Sequence, residues 1–252
     1  LLRSSFSVRA GARKPEAIQS PYISRLSEER EMNKSGRQHR TLVFLIVTTA
    51  VSMTAPALWA QESADGEWYS WGADSAFTRY SSLDQISRDN VTNLSVAWRW
   101  SSVDRQLQES NPLWRAGRNE DTPLMVNGTV YTVTGLGLIA ALDPATGQTR
   151  WVYDPKSYEG GRSGAVGFIQ RGVGYWTDGT DERVLVGTID AYLVSVDART
   201  GELDETFGDH GRVDLLAGVP RATREARHIA ARRPLVAGDV IVVGSSVSDL
   251  PL

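Results

Sequence analysis

The chain has 252 residues, 27 Lys+Arg against 30 Asp+Glu, a formal charge of -3, 41% hydrophobic residues and no cysteine. The composition is that of a soluble globular protein, and the lack of Cys excludes disulfides, Fe–S ligation, C-x-x-C-H haem attachment and thiolate zinc or nucleophile chemistry within it. The charge is unevenly placed: residues 1–60 carry nine Lys/Arg and four Asp/Glu, whereas 61–252 carry eighteen and twenty-six, an acidic body that argues against nucleic acid as a partner.

Residues 1–31 start at Leu1, are polar and charged, and show neither a 3.6 nor a 2.0 period, so they are expected to be an upstream or disordered extension. From Met32 the order changes to a basic stretch (Lys34, Arg37, Arg40), an apolar run from Leu42 to Val47, and small residues ending Ala55-Pro56-Ala57-Leu58-Trp59-Ala60. That is the order of a secretory signal peptide over 32–60. The run is short for a membrane span of ~20 residues, which makes an N-terminal anchor the lesser reading. Cleavage after Ala57 or Ala60 would leave a body over 61–252 in the periplasm or outside the cell.

Within that body, Pro123-Leu-Met-Val-Asn-Gly-Thr-Val-Tyr-Thr-Val-Thr-Gly135 is followed by Leu138-Ile-Ala-Ala-Leu-Asp-Pro-Ala-Thr-Gly-Gln-Thr-Arg-Trp151. Asn127-Gly128 between alternating apolar segments predicts a two-residue hairpin turn, and Pro144 with Thr146-Gly147 predicts a second tight turn before Trp151. The second half recurs from Val184 to Gly201, with Asp197 lying 54 residues after Asp143. The first half recurs from Pro234 to Gly244, with Pro234 lying 111 residues after Pro123. A period near 54 with about four strand signals predicts an all-β fold of four-stranded antiparallel β-propeller blades. The body holds about 3.5 such periods against the four to eight blades of a ring, so a partial propeller is expected.

The spacing Ala141-x-Asp143-x-x-Thr146-Gly147-x-x-x-Trp151 predicts how blades lock, because an indole buries roughly 150–250 Å². Trp98, Trp100 and Trp151 are read as core residues. The second copy ends at Phe207, where weaker docking is expected. Other motifs fail on context. Gly135-x-Gly137-x-x-Ala140 imitates a dinucleotide fingerprint, but Pro144 and Gly147 break the helix that such a site needs. Gly161-x-Ser163 lacks the closing glycine of a nucleophile elbow. His39, His210 and His228 have no metal-ligand spacing, and the five arginines of 221–233 read as a solvated loop or short helix, with an anion-contact patch as the alternative.

Four ordered stretches resemble the quinoprotein dehydrogenases that bind pyrroloquinoline quinone (PQQ) in an eight-bladed propeller. They are Trp71-Gly72 with Arg79-Tyr80-Ser81-x-Leu83-x-Gln85-Ile86 and Asn90-Val91-x-x-Leu94-x-x-Ala97-Trp98; Glu120-Asp-Thr-Pro123 with Arg171-Gly-Val-x-Tyr-Trp176; Gly187-Thr188 through Gly201; and Gly244-Ser-Ser-Val-Ser-Asp249. The resemblance implies that Arg171 pairs with a carboxylate on the rim of PQQ, that Thr188, Ser246 and Ser248 supply hydroxyl contacts, and that Glu120 accepts a hydrogen bond from its polar edge. It implies that Asp249 ligates a Ca²⁺ ion that polarises the quinone carbonyl.

The resemblance also implies hydride transfer from an alcohol, polyol or sugar, with a cytochrome or membrane quinone as electron acceptor. The family's catalytic base comes from later blades, so no catalytic residue is assigned in this chain, which alone is expected to be inactive. Many alcohol-oxidising members carry adjacent cysteines before the Arg-Gly-Val motif; here the stretch is Gly164-Ala-Val-Gly-Phe-Ile-Gln170, which leans towards cysteine-free sugar or polyol relatives. The competing functional class is a cofactor-free propeller scaffold. A third reading is a gene piece without activity of its own, which is compatible with the first at the level of the parent protein.

Overall fold

The computed structural model describes residues 5–9, 66–116, 118–161, 167–219 and 229–247. The signal-peptide and anchor readings of 32–60, the arginines of 221–228, Ser248 and Asp249 lie outside the described residues. No helix among the described residues is long and apolar enough to cross a membrane.

Strands β1 (Ser5–Arg9), β2 (Arg118–Asn119), β3 (Leu124–Val126), β4 (Thr129–Val133), β5 (Ile139–Leu142), β6 (Thr149–Tyr153) and β7 (Ile169–Gln170) are followed by β8 (Gly174–Thr177), β9 (Glu182–Gly187), β10 (Tyr192–Asp197), β11 (Arg212–Asp214), β12 (Ile229–Ala237) and β13 (Val240–Val247). β3-β4-β5-β6 and β8-β9-β10-β11 are two antiparallel four-stranded meanders, the expected blades, and β1-β13-β12 is a third sheet. Ser5–Arg9, in the segment read from sequence as an extension, pairs with β13 from Ser5↔Gly244 to Arg9↔Val240.

The β3–β4 turn needs positive φ at both central residues, and Asn127 (φ 48) and Gly128 (φ 67) supply it. The turn after β5 is built by a side chain. Asp143 Oδ1 accepts from the backbone N–H of Ala145 and of Thr146, both at 3.0 Å, while Gly147 (φ 71) closes it. One repeat later Asp197 Oδ1 accepts from Arg199 and Thr200, both at 2.9 Å, and Gly201 (φ 75) closes that turn. An Asx turn of this kind replaces the backbone partners lost where the strand ends.

These two turns are the sockets for the tryptophans. Trp98 Nε1 donates to the Pro144 carbonyl at 2.9 Å, and Trp151 Nε1 donates to the Ala198 carbonyl at 3.1 Å. A Cβ on Gly147 would lie 2.5 Å from the Trp98 ring, and one on Gly201 would lie 2.6 Å from that of Trp151. Each indole therefore lies flat on a glycine that admits no side chain, and the Trp98 and Trp151 sockets are copies of one another. Phe207 has no N–H to donate. It is buried with Leu185 and Leu193 of the second sheet and Ile241 and Val243 of β13.

Between the first two sheets lies a core of Leu124, Val126, Tyr131, Val133, Ile139 and Ala141 against Val173, Tyr175, Val184, Val186, Val194 and Val196. A separate cluster of Leu136, Leu138, Tyr158, Phe168 and Ile189 is covered by Val103, Leu107 and Trp114. Val103 precedes and Leu107 lies within the one α-helix among the described residues, α1 (Asp104–Ser110), which the sequence reading did not anticipate. Seven residues are too few to be stable alone. The helix is tied down by Asp104, whose buried Oδ2 accepts from the Leu136 N–H at 3.1 Å, and burial raises the pKa of that carboxyl.

The Asp143 turn makes a pH-dependent contribution. The Arg150 guanidinium, 2.9 Å from Asp143 Oδ2, and the Thr146 hydroxyl and N–H hold the Asp143 carboxyl at about 2, below the ordinary 3.8. Because the folded value lies below the unfolded one, the stabilisation is complete above about pH 4 and is lost as the pH falls from 3.8 to about 2. Asp143→Asn should therefore be less stable than the parent at pH 6, with the gap closing between pH 4 and 2 in urea titrations. A gap unchanged across that window would contradict the assignment.

Candidate functional site

β2 and β7 are the parallel pair that builds the site: Arg118 lies beside Ile169 and Asn119 beside Gln170. Each immediately precedes the first strand of its sheet, β3 or β8, so the pair brings the entrances of two consecutive sheets side by side. The Glu120 N–H continues the pairing by donating to the Gln170 carbonyl at 3.1 Å. The next residue on each side is then Glu120 on one and Arg171 on the other. Arg171 Nη2 lies 2.9 Å from Glu120 Oε2, and Arg118 Nη1 lies 3.7 Å from Glu120 Oε1. With Arg171 about half exposed, this pair adds little to folding, on the order of 0–1 kcal/mol. Its position is the informative part.

Asp121 turns inward from the same segment. Its Oδ2 accepts from the Thr132 hydroxyl at 2.5 Å and from the Val133 N–H at 3.2 Å. Its Oδ1 is buried without a hydrogen-bond partner and faces Arg233 Nη2 at 3.9 Å. Burial raises the pKa of Asp121, against the pull of Thr132, Val133 and Arg233.

Arg233 comes from the third sheet. β12 pairs with β13 through Ala231↔Ser245 and again from Pro234↔Val243, with an irregularity between them. Arg232 and Arg233 thus face the single residue Gly244, a bulge that takes both out of the ladder. The Arg233 guanidinium lies against Gly172 (φ 126), where a Cβ would come within 2.1 Å of Nη2. It also lies 5.9 Å from the ring centroid of Trp71, which Arg79 covers at 4.2 Å. Burial lowers the pKa of Arg233, as it does that of Arg232, and the neighbouring Arg171 charge lowers both further. Four guanidiniums, of Arg118, Arg171, Arg232 and Arg233, share this region with two carboxylates, a local surplus of positive charge on an acidic chain.

Of the residues singled out from sequence, the structure brings Glu120 and Arg171 into contact. Thr188 is elsewhere engaged: its buried hydroxyl accepts from the Tyr192 N–H at 3.0 Å and donates to Asp190. Thr134, 54 residues earlier, accepts from the Leu138 N–H at 3.0 Å in the same way, so this threonine belongs to the blade repeat. Ser246 pairs through its backbone with Ala230. No group of three His, Cys, Asp or Glu residues arranged to hold a metal occurs among the described residues, and the expected Ca²⁺ ligand Asp249 is not among them.

The structure adds Asp121, Arg232 and Arg233 to this cluster, residues that the sequence motifs do not single out. A signal was present: Asp121 and Arg232 each lie two residues before the repeated prolines, Pro123 and Pro234, and so enter equivalent strands. The arginine run of 221–233 reads from sequence as a solvated loop or short helix, yet its last two members are strand residues and the Arg233 side chain is only 15% exposed.

Residues 68–251 match the family model for PQQ, glucose/ethanol/alcohol dehydrogenase, beta-propeller domain. The chain is 34% identical over 206 residues to the dehydrogenase subunit of alcohol dehydrogenase (quinone) of Gluconobacter oxydans, covering 73% of this chain and 25% of that protein. It is 33% identical over 197 residues to quinoprotein glucose dehydrogenase of the same organism, covering 73% and 24%. The crystal structure of quinohemoprotein alcohol dehydrogenase from Comamonas testosteroni is similar with a TM-score of 0.56 at 28% identity, over 72% of this chain and 23% of that one. The chain spans about a quarter of the length of these relatives.

Proposed function

Given that this chain belongs to the PQQ glucose/ethanol/alcohol dehydrogenase β-propeller family, we propose that it is the N-terminal portion of a periplasmic, PQQ- and Ca²⁺-dependent dehydrogenase. Its substrate is an alcohol, polyol or sugar, and its electrons pass to a cytochrome or membrane quinone. The observation that carries the reading is the meeting of Arg171 and Glu120 at the entrance of two consecutive sheets, 2.9 Å apart, inside a surplus of guanidinium charge.

The donor set fits the cofactor. PQQ carries three carboxylates, which guanidiniums bind with paired N–H donors, and the buried Arg233 Nε and Nη2 lack a hydrogen-bond acceptor. A cofactor-free scaffold has no use for cations assembled in this way. When bound, PQQ supplies the two-electron chemistry as hydride acceptor. The share of this chain is to bind and orient. Arg171 holds a carboxylate through the N–H groups that Glu120 leaves open. Glu120 fixes the guanidinium in turn and accepts a hydrogen bond at the polar edge. Ser246 and Ser248 contribute hydroxyls and Asp249 a carboxylate to Ca²⁺. Proton abstraction falls to residues of the longer protein.

The test is a titration of the whole natural protein with PQQ, with and without Ca²⁺, followed by quinone absorbance retained on the protein. Wild type should bind in a Ca²⁺-dependent way, and Arg171→Ala should weaken binding by roughly 10- to 100-fold, the worth of a charge-assisted hydrogen bond. Absence of binding by the folded whole protein would overturn the reading.

A further inference from the structure

We infer that Arg232 and Arg233, carried out of the β12–β13 ladder by its bulge, form a second carboxylate-binding wall beside Arg171, so that one polycarboxylate is held from two successive sheets. The inference rests on the PQQ reading above and assigns residues to that cofactor which the sequence motifs did not.

Comparison with another buried arginine in the same chain carries the argument. Arg183 and Asp204 form an ion pair with side chains 13% and 12% exposed, and they close to 2.7 Å. Arg233 and Asp121 are about as buried, at 15% and 4%, yet stop at 3.9 Å. The first pair behaves as a structural one should, since a buried charge is tolerated when its hydrogen bonds are made. In the second pair, Thr132 and the Val133 N–H hold Asp121 Oδ2 in place, so the carboxylate supplies Arg233 with charge but no hydrogen bond. Arg233 Nε and Nη2 remain without an acceptor. Leaving such donors unmet is costly, and an incoming carboxylate removes the cost.

The backbone is shaped to place these cations. Pro234 has no N–H to lose from the ladder, so the bulge ends on it without a further broken bond. Gly172 gives the guanidinium the space that any Cβ would take. Arg171, one residue before that glycine, brings a like charge close to both arginines, a repulsion that a carboxylate between them relieves.

The test compares PQQ with its trimethyl ester, which keeps the ring system and loses the carboxylate charges, by quenching of tryptophan fluorescence in the whole natural protein. Arg232→Ala and Arg233→Ala should each weaken PQQ binding about tenfold or more and leave binding of the ester within about threefold, with Arg233→Lys recovering part of the loss. Equal loss of PQQ and ester would make these arginines structural and overturn the inference, as would unchanged PQQ binding. Binding of neither compound by wild type would overturn the PQQ reading, and this inference with it. Thermal melts establish folding for each variant; should Arg233→Ala not fold, Arg232→Ala and Arg233→Lys decide the matter.

Discussion

Trp151→Ala should destabilise the protein by about 3 kcal/mol, the low end of the range for Trp→Ala because the ring is only partly buried. Three losses combine. The indole leaves the glycine socket, where it packs so closely that a Cβ on Gly201 would lie 2.6 Å from the ring. The hydrogen bond to the Ala198 carbonyl disappears, although that acceptor keeps the Tyr131 hydroxyl at 3.1 Å. The tilted contact with Tyr131, at 6.0 Å between centroids, is lost as well. Trp151→Phe separates these contributions by keeping a ring while removing the N–H, and about 1 kcal/mol is expected for that change. Urea unfolding of the whole protein measures both. An alanine variant within about 1 kcal/mol of wild type would show that the sheets are joined by the Leu124 to Val196 core alone. Phe207 is the natural version of the second variant: it lacks the N–H and is buried against Ile241 and Val243.

The turns of the sockets were legible in the sequence because each is built by a local motif that repeats, whereas the tryptophan that docks on each turn lies 46 or 47 residues earlier. Asp143, Gly147 and Trp151 form one turn and the strand that follows it, and Asp197, Gly201 and Trp98 complete the two copies at the repeat spacing. Asn127-Gly128 was legible for the same reason, since one dipeptide determines a two-residue turn. The helix α1 was not, because Asp104 earns its place from a contact with Leu136, 32 residues away.

The site divides along the same line. Glu120 and Arg171 are singled out by resemblance, and the parallel pairing of β2 with β7 explains why they meet. Arg232 and Arg233 needed the bulge, which appears only when β12 is laid against β13, and without it two arginines before a proline read as a loop. Thr188 carries both signals: it stands in a stretch that resembles the family, and it lies one repeat after Thr134, with its hydroxyl bonded to Tyr192 and Asp190 within the blade.

Gly172→Ala should damage the site more than a change of one methyl group suggests. At φ 126 the backbone lies where L-residues are strained, a cost of about 1–3 kcal/mol. The new Cβ would also fall 2.1 Å from Arg233 Nη2 and 2.3 Å from Nε, so the guanidinium must leave its present position, and with it the approach to Asp121. Arg171 shares a peptide bond with the altered residue and shifts too. Loss of PQQ affinity should therefore exceed that of Arg233→Ala, reaching more than about tenfold, because cations from two sheets move at once. Gly179→Ala is the matched control. It too sits at positive φ, at 95, but has nothing within 4 Å of the added Cβ; it should lower the melting temperature through backbone strain and leave PQQ binding unchanged. If the two substitutions lowered stability alike and neither altered binding, Gly172 would serve the fold alone, and the close packing of Arg233 upon it would have no part in holding the cofactor.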